Sequence, residues 1–301
     1  GQIEPATDSY QKAIKINPEC VAALIMLGQL HSTQGDADQA IENLEKAIAL
    51  QPDDPDLYAA LAAELLQKGD VNEAITYLKK ILKQNPNSSS ALSMMGDAYN
   101  QNGDHKSAIG YYKQAINLDP DDAISHFNMG SALHDKGDHK AAIKSYENAI
   151  RIKPDYAEAH SNLGSIQSNK GDLAAAIKSF KKALTFDPYC AVTYYNKGLS
   201  LQDEGKLEEA IDSYENALKI NPNYSKAYSN LGTSLIEKGN LKLAINKFKQ
   251  ALILDPFCDA AAINLAKCMS LTGDLETAIA MLRKVLRENP ERMPDIYLKM
   301  F

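Results

Sequence analysis

The sequence lacks the long apolar run that a membrane-spanning helix needs. Such a helix must hold about 20 mostly apolar residues, and no segment of the 301 residues approaches that. No secretory signal peptide is visible either. Because the chain starts at Gly1 and not at Met, we expect it to be a piece of a longer protein. We predict no membrane insertion and a cytoplasmic or nucleocytoplasmic location.

Cysteine is scarce, and its placement argues against disulfides and zinc sites. The four residues are Cys20, Cys190, Cys258 and Cys268. The first three are separated by multiples of 34 residues, which in a regular repeat stack keeps them too far apart to bridge. No pair has zinc-ligand spacing. We therefore predict inert thiols in a reducing compartment.

The sequence also lacks a basic surface and any short catalytic motif. Residues 1–122 carry 9 Lys and Arg against 18 Asp and Glu, a net charge of −9, and residues 123–301 carry 23 against 21, a net charge of +2. Neither half resembles a nucleic-acid-binding protein. There is no phosphate loop, nucleophile elbow or paired His–Glu metal motif. We predict a chain with no catalytic residues, no cofactor, no metal and no nucleic-acid partner.

Proline is sparse, but its spacing is regular. Nine of the twelve prolines recur every 34 residues. They are Pro18, Pro52, Pro86, Pro120, Pro154, Pro188, Pro222, Pro256 and Pro290. A fixed period of this length is typical of stacked structural repeats.

Glycine and alanine follow the same period, if the unit is numbered so that the periodic proline is position 32. Position 15 is Gly in every full unit, where it should end one helix and turn the chain. Position 8 is Gly in six units, although Gly inside a helix costs about 1 kcal/mol relative to Ala, so we expect two helices to approach closely there. Position 20 is always Ala and position 24 is Tyr, Phe or Leu. Each unit therefore reads as helix A, a Gly turn, helix B and a Pro break.

This register divides the chain into three parts. We predict that residues 1–20 are the second helix of a partial repeat and that residues 21–292 form eight consecutive 34-residue units. Residues 293–301 would then form a C-terminal partial helix. Counting the partial units, we expect 18 helices.

The unit resembles the tetratricopeptide repeat (TPR), with Leu163, Gly164, Ala176, Phe180 and Pro188 at its typical positions. The resemblance covers essentially the whole chain, although no unit has the Trp of the TPR pattern. It implies an all-α, right-handed superhelical solenoid of stacked helix-turn-helix units, with the A helices lining a concave groove. The clamp that some TPR co-chaperones use for C-terminal carboxylates is not expected, because position 5 never holds its Lys.

Asparagine recurs at position 6 of five successive units. The residues are Asn128, Asn162, Asn196, Asn230 and Asn264. Position 6 lies about 200° around the helix from positions 4 and 8, so it should point away from helix B and into the groove. An amide offers one acceptor and two donor hydrogens, so a row of amides can bond the backbone of an extended peptide. We predict a protein-interaction scaffold that binds a protein or peptide partner through this row.

Four further residues are predicted to give the groove some selectivity. They are Phe127, Tyr195, Lys226 and Lys267. Three alternatives stay open. The amides could only bridge neighbouring A helices. Alternatively, the segments "SNLGS" at 161–165 and "SNLGT" at 229–233 resemble the TPR half of O-linked N-acetylglucosamine transferase, which implies a substrate-recruiting region whose catalytic domain is absent. The third alternative is self-association through the ends of the array.

Overall fold

The computed structural model describes residues 3–273 and 276–277, and within these residues it contains sixteen α-helices and no strand. The helices are α1 (Ile3–Ile16), α2 (Val21–Thr33), α3 (Ala37–Leu50), α4 (Pro55–Lys68), α5 (Val71–Gln84), α6 (Ser89–Gln101), α7 (His105–Leu118), α8 (Ala123–Asp135), α9 (His139–Ile152), α10 (Ala157–Asn169), α11 (Leu173–Phe186), α12 (Ala191–Asp203), α13 (Leu207–Ile220), α14 (Ser225–Glu237), α15 (Leu241–Leu254) and α16 (Asp259–Leu271).

From α2 onward, even-numbered helices are A helices and odd-numbered helices are B helices. The chain divides into two compact units, residues 1–154 with α1–α9 and residues 155–301, whose described part holds α10–α16. Within each unit, consecutive helices pack against each other. The predicted all-α class, a solenoid of stacked helix pairs, is confirmed. Of the two last expected helices, only residues 276–277 are described, and the one predicted at 293–301 lies outside the described residues.

The turn between helices A and B is built by a Gly, which is followed by Asp or Asn in every repeat except at Gly205, where Lys206 follows. All eight position-15 glycines have a left-handed backbone, with φ between 77° and 93°, which other residues adopt only at a cost. In five of the seven described turns, the side chain of the next residue accepts a hydrogen bond from the first turn of helix B. Asp70 and Lys206 make no such bond. For example, Gly137 precedes Asp138, whose carboxylate accepts a hydrogen bond of 3.1 Å from the Ala141 amide. The sequence pair Gly-Asp therefore ends one helix and starts the next.

The position-8 glycines allow an aromatic ring from helix B to lie directly on helix A. At Gly96, an added Cβ would come within 2.4 Å of the Tyr112 ring. At Gly198 it would come within 2.6 Å of the Tyr214 ring. The same contact recurs at three further glycines with the position-24 ring of their own unit, namely Gly130, Gly164 and Gly232. The predicted close approach of the two helices is therefore confirmed, and an aromatic side chain fills the space that each glycine leaves.

Several side chains contribute to the packing of one 34-residue repeat against the next. Position-20 Ala is fully buried in all seven described full helices B. His126 at position 4 is bonded through Nε2 to the carbonyl oxygen of Pro120 at 3.2 Å, and Tyr58 at the same position donates to the carbonyl of Pro52. The hydroxyls of Ser161 and Thr193 lie 2.9 Å apart on adjacent A helices. Buried alanines of the B helices and hydrogen bonds made by residues of the A helices therefore both contribute to the packing between successive helices.

Candidate functional site

The five position-6 asparagines lie on the exposed side of the A helices, and each is half-buried. We call the side chains at positions 2, 6, 9 and 13 of the A helices the A-helix face. Asn128 lies on α8 of the first unit. The other four lie on α10, α12, α14 and α16 of the second unit, one per repeat.

In the second unit, the amides of Asn196, Asn230 and Asn264 are held by the preceding A helix. Nδ2 of Asn196 donates to Oγ of Ser165 at 3.5 Å, and Nδ2 of Asn264 donates to Oγ1 of Thr233 at 3.3 Å. Both acceptors occupy position 9 of the preceding 34-residue repeat. Each amide is therefore oriented by a neighbour 31 residues earlier in the chain.

Asn230 uses a different acceptor because its neighbour at position 9 is Leu199, which has no polar atom. Its Nδ2 donates instead to the hydroxyl of Tyr195 at 2.9 Å. In all three cases one amide hydrogen is used within the fold. The Oδ1 atoms of Asn196, Asn230 and Asn264 accept no hydrogen bond from other residues in the described part of the chain. One acceptor and one donor hydrogen of each amide are thus available to a ligand.

A hollow of about 180 Å³ lies beside the first amide of this row. Its walls include Ser161 and Asn162 on α10 and Val192 and Thr193 on α12. The exposed Val192 side chain gives this part of the surface an apolar contact. The A-helix face of the second unit therefore combines oriented amides with space for side chains of a ligand.

In the first unit, the corresponding amide belongs to a three-residue hydrogen-bonded cluster. Nδ2 of Asn128 and the hydroxyl of Tyr112 both donate to Oδ1 of Asp97, at 2.8 and 2.7 Å. Burial raises the pKa of the Asp97 carboxyl above its ordinary value, although these two hydrogen bonds act in the opposite direction. Burial also raises the pKa of Tyr112, as does the nearby Asp97 charge.

This cluster forms part of the wall of a hollow of about 470 Å³. Leu66, Met94 and Phe127 give it apolar walls. Polar groups around it come from Asn100, Gln101 and Ser131. The Asp97 carboxyl, which lies beside both apolar and polar walls, distinguishes this hollow chemically from the row of amides.

The four residues predicted to add selectivity differ in exposure. Phe127 is half-buried, with its ring 5.6 Å from the ring of Tyr146. Tyr195 is also half-buried, against Tyr214 at 6.0 Å and Tyr224 at 4.8 Å between ring centroids. Both rings therefore take part in helix packing as well as bordering the A-helix face. The side chains of Lys226 and Lys267 are exposed.

Asp97 and Tyr112 were not among the site residues predicted from the sequence. A signal was available for Asp97, because it occupies position 9 on the same helical stripe as the asparagines. Asp97 lies in the repeat at 89–122, where position 6 is Met94 and not Asn. The predicted row of asparagines therefore does not include this repeat. Position 24 was predicted to be a packing position only. The hydroxyl of Tyr112 at that position nevertheless binds Asp97, and Tyr112 lines the hollow.

Several other sequence features lie apart from this surface. Among the described residues, no group of three or more His, Cys, Asp or Glu side chains could hold a metal ion. The four cysteines are free thiols. None of the described helices is both long enough and apolar enough to span a membrane.

Family profiles identify the class of protein. Tetratricopeptide repeat profiles match residues 157–190 and 191–224. Further TPR profiles match 111–144 and 213–246, 130–171, and 235–299. The profile of the cytochrome c-type biogenesis protein H TPR domain matches 21–123. The chain belongs to the tetratricopeptide repeat family.

Solved structures agree with this assignment. MamA is 30% identical, with a TM-score of 0.52 over 54% of this chain and 95% of MamA. YrrB, described as a TPR protein with an unusual peptide-binding site, is 20% identical, with a TM-score of 0.54 over 61% of this chain and 95% of YrrB. A chain of the APC/C hetero-tetramer Cut9-Hcn1 is 17% identical, with a TM-score of 0.61 over 100% of this chain and 60% of that one. The last two show the fold alone. Comparison with curated proteins gave no significant match.

Proposed function

We propose that this TPR protein is a non-enzymatic scaffold that binds an extended peptide segment of a partner along the A-helix face. The observation that carries the proposal is the row of amides in the second unit. In this row, the side-chain amides of Asn196, Asn230 and Asn264 each donate one hydrogen bond to the preceding A helix. The carbonyl oxygen and the second amide hydrogen of each side chain can then bind a ligand. YrrB, a TPR protein with a peptide-binding site, supports a role of this kind.

The spacing of the amides suits an extended backbone. Packed helices lie about 8–10 Å apart, and an extended chain advances about 3.3 Å per residue. One amide per A helix therefore meets the peptide about once every three residues, where it can accept from a backbone N–H and donate to a C=O. The bond to the preceding helix fixes the amide before the ligand arrives, which reduces the ordering cost of binding.

The neighbour bonds also show that the amides bridge adjacent A helices, as one of the alternatives had it. Bridging consumes one of the three hydrogen-bonding functions of each amide, so it is compatible with a second role toward a ligand. The alternative of a substrate-recruiting region resembling that of O-linked N-acetylglucosamine transferase would use the same amides. Both functions need the same peptide-binding surface, and we propose a cytoplasmic or nucleocytoplasmic setting for it.

Replacing Asn162, Asn196 and Asn230 together by Ala should weaken peptide binding about ten-fold or more, because each lost hydrogen bond contributes about 0.5–1.5 kcal/mol. The measurement uses the whole chain and a neutral pool, meaning nonapeptides with a central norleucine and equal mixtures of Ala, Gly, Ser and Leu elsewhere. Binding is read from the fraction of peptide retained on the immobilised protein.

A matched control carries three Asn→Ala changes on B helices, at Asn148, Asn216 and Asn246. Thermal melting followed by circular dichroism establishes that both variants are folded. Equal retention of the neutral pool by wild type and by the folded A-helix variant would rule out the amide row as a peptide site.

A further inference from the structure

Asp97 is a half-buried carboxylate that has no cation beside it in the described part of the chain. Both hydrogen bonds to Asp97 come from neutral donors, and both reach Oδ1. Oδ2 accepts none from the described residues, and Asp97 takes part in none of the ion pairs found there. Burying a charge is costly unless it is paired, so this carboxylate is set up to gain from an incoming cation.

The shape of the hollow fits a long side chain with a charged end. Its volume is about 470 Å³, and Leu66, Met94 and Phe127 provide apolar surface beside Asp97. Lys and Arg bury an alkyl stem against such surfaces while the charged group reaches a polar partner. The ring of Phe127 can add a cation–π contribution at the same place.

The surrounding charge favours the same ligand. Asp122 lies near enough to act on Asp97 electrostatically, and residues 1–122 carry nine more acidic than basic residues. A negative surface attracts basic segments and repels acidic ones. An incoming Asp or Glu side chain would face repulsion from Asp97 without any compensating donor beyond the neutral amides.

We infer that the hollow in the first unit takes a lysine or arginine side chain of the bound peptide, with its cation on Oδ2 of Asp97. The inference rests on the proposed function, because the basic side chain is carried by a peptide lying on the A helices. It names the chemistry of the partner: a segment with a basic residue. Asn128 and Tyr112 hold the carboxylate in place through Oδ1 and leave Oδ2 without a hydrogen bond from the described residues.

The test compares the neutral pool with a lysine pool that has Lys in place of the central norleucine. The two side chains have similar length, and the difference is the ammonium group. The wild-type chain should bind the lysine pool about ten-fold more tightly or better, because hydrogen bonds to charged groups are the stronger ones. Asp97→Asn should abolish this advantage, since the amide oxygen can still accept from Tyr112 and Asn128 but carries no charge.

Asp121→Asn is the matched control, because it removes the same charge from an exposed position outside the hollow. It should keep the preference for lysine. Equal binding of the two pools to wild type would overturn the cation site while leaving the proposed function intact. Loss of the lysine preference in both variants would show that the preference comes from general charge attraction, and it would also overturn the cation site. Failure of both pools to bind would count against both proposals.

Discussion

Replacing Gly96 with Ala is expected to lower the free energy of unfolding by about 2 kcal/mol or more, within the usual range for overpacked cores. The new methyl group would lie 2.4 Å from the Tyr112 ring. That ring is 1% exposed and is also held by its hydroxyl bond to Asp97, so it cannot move away cheaply. The gain of about 1 kcal/mol from replacing a helical Gly by Ala is smaller than this clash. Urea unfolding measures the change.

Gly110→Ala supplies the control in the same helix pair. Gly110 lies inside α7, and an added Cβ there meets no atom within 4 Å. This variant should gain about 0.5–1 kcal/mol from helix propensity alone. If Gly96→Ala stabilised the protein as Gly110→Ala does, the ring would not lie on the glycine and the packing scheme would be wrong.

Tyr214→Ala should cost about 3–5 kcal/mol, the usual range for removing a large aromatic side chain from a core. Tyr214 is fully buried, and its ring covers Gly198. Tyr214→Phe should cost only about 1 kcal/mol, because it keeps the ring and loses one hydrogen bond, from the hydroxyl to Oε1 of Gln202 at 2.9 Å. Denaturant unfolding of the pair separates ring packing from hydrogen bonding.

The double variant Gly198→Ala/Tyr214→Ala provides the internal check. With the ring gone, the added methyl group has room and fills part of the cavity, so the double variant should be more stable than the sum of the two single changes implies. Strict additivity would show that the glycine and the ring do not compete for the same space.

The period of 34 residues made most of the fold predictable. It places Gly, Ala and an aromatic residue at fixed positions of one helix pair, and packing follows from those positions alone. The left-handed glycines and the buried position-20 alanines follow in the same way. Residues such as Gly96 were predicted to allow close approach, but the sequence could not show that a ring, and not the backbone of helix B, fills the gap.

The hydrogen-bond partners of the asparagines were less accessible to sequence reasoning. They depend on which residue of the preceding unit faces each amide, and that register is set by the stacking of one repeat on the next. Ser165 and Thr233 supply hydroxyls at position 9, whereas Leu199 cannot, so Asn230 turns to Tyr195. Asp97 was missed for the same reason, since its importance comes from two neighbours, Tyr112 and Asn128, that lie 15 and 31 residues away.

The central claim is that peptide backbone binds to the side-chain amides of the A helices, and nuclear magnetic resonance tests it directly. The ¹⁵N-labelled chain is titrated with the neutral pool while the side-chain amide signals are recorded. The signals of Asn162, Asn196 and Asn230 should shift, and those of Asn216 and Asn246 on the B helices should stay unchanged. Shifts confined to the B-helix amides, with the A-helix signals unmoved at saturating peptide, would contradict the account.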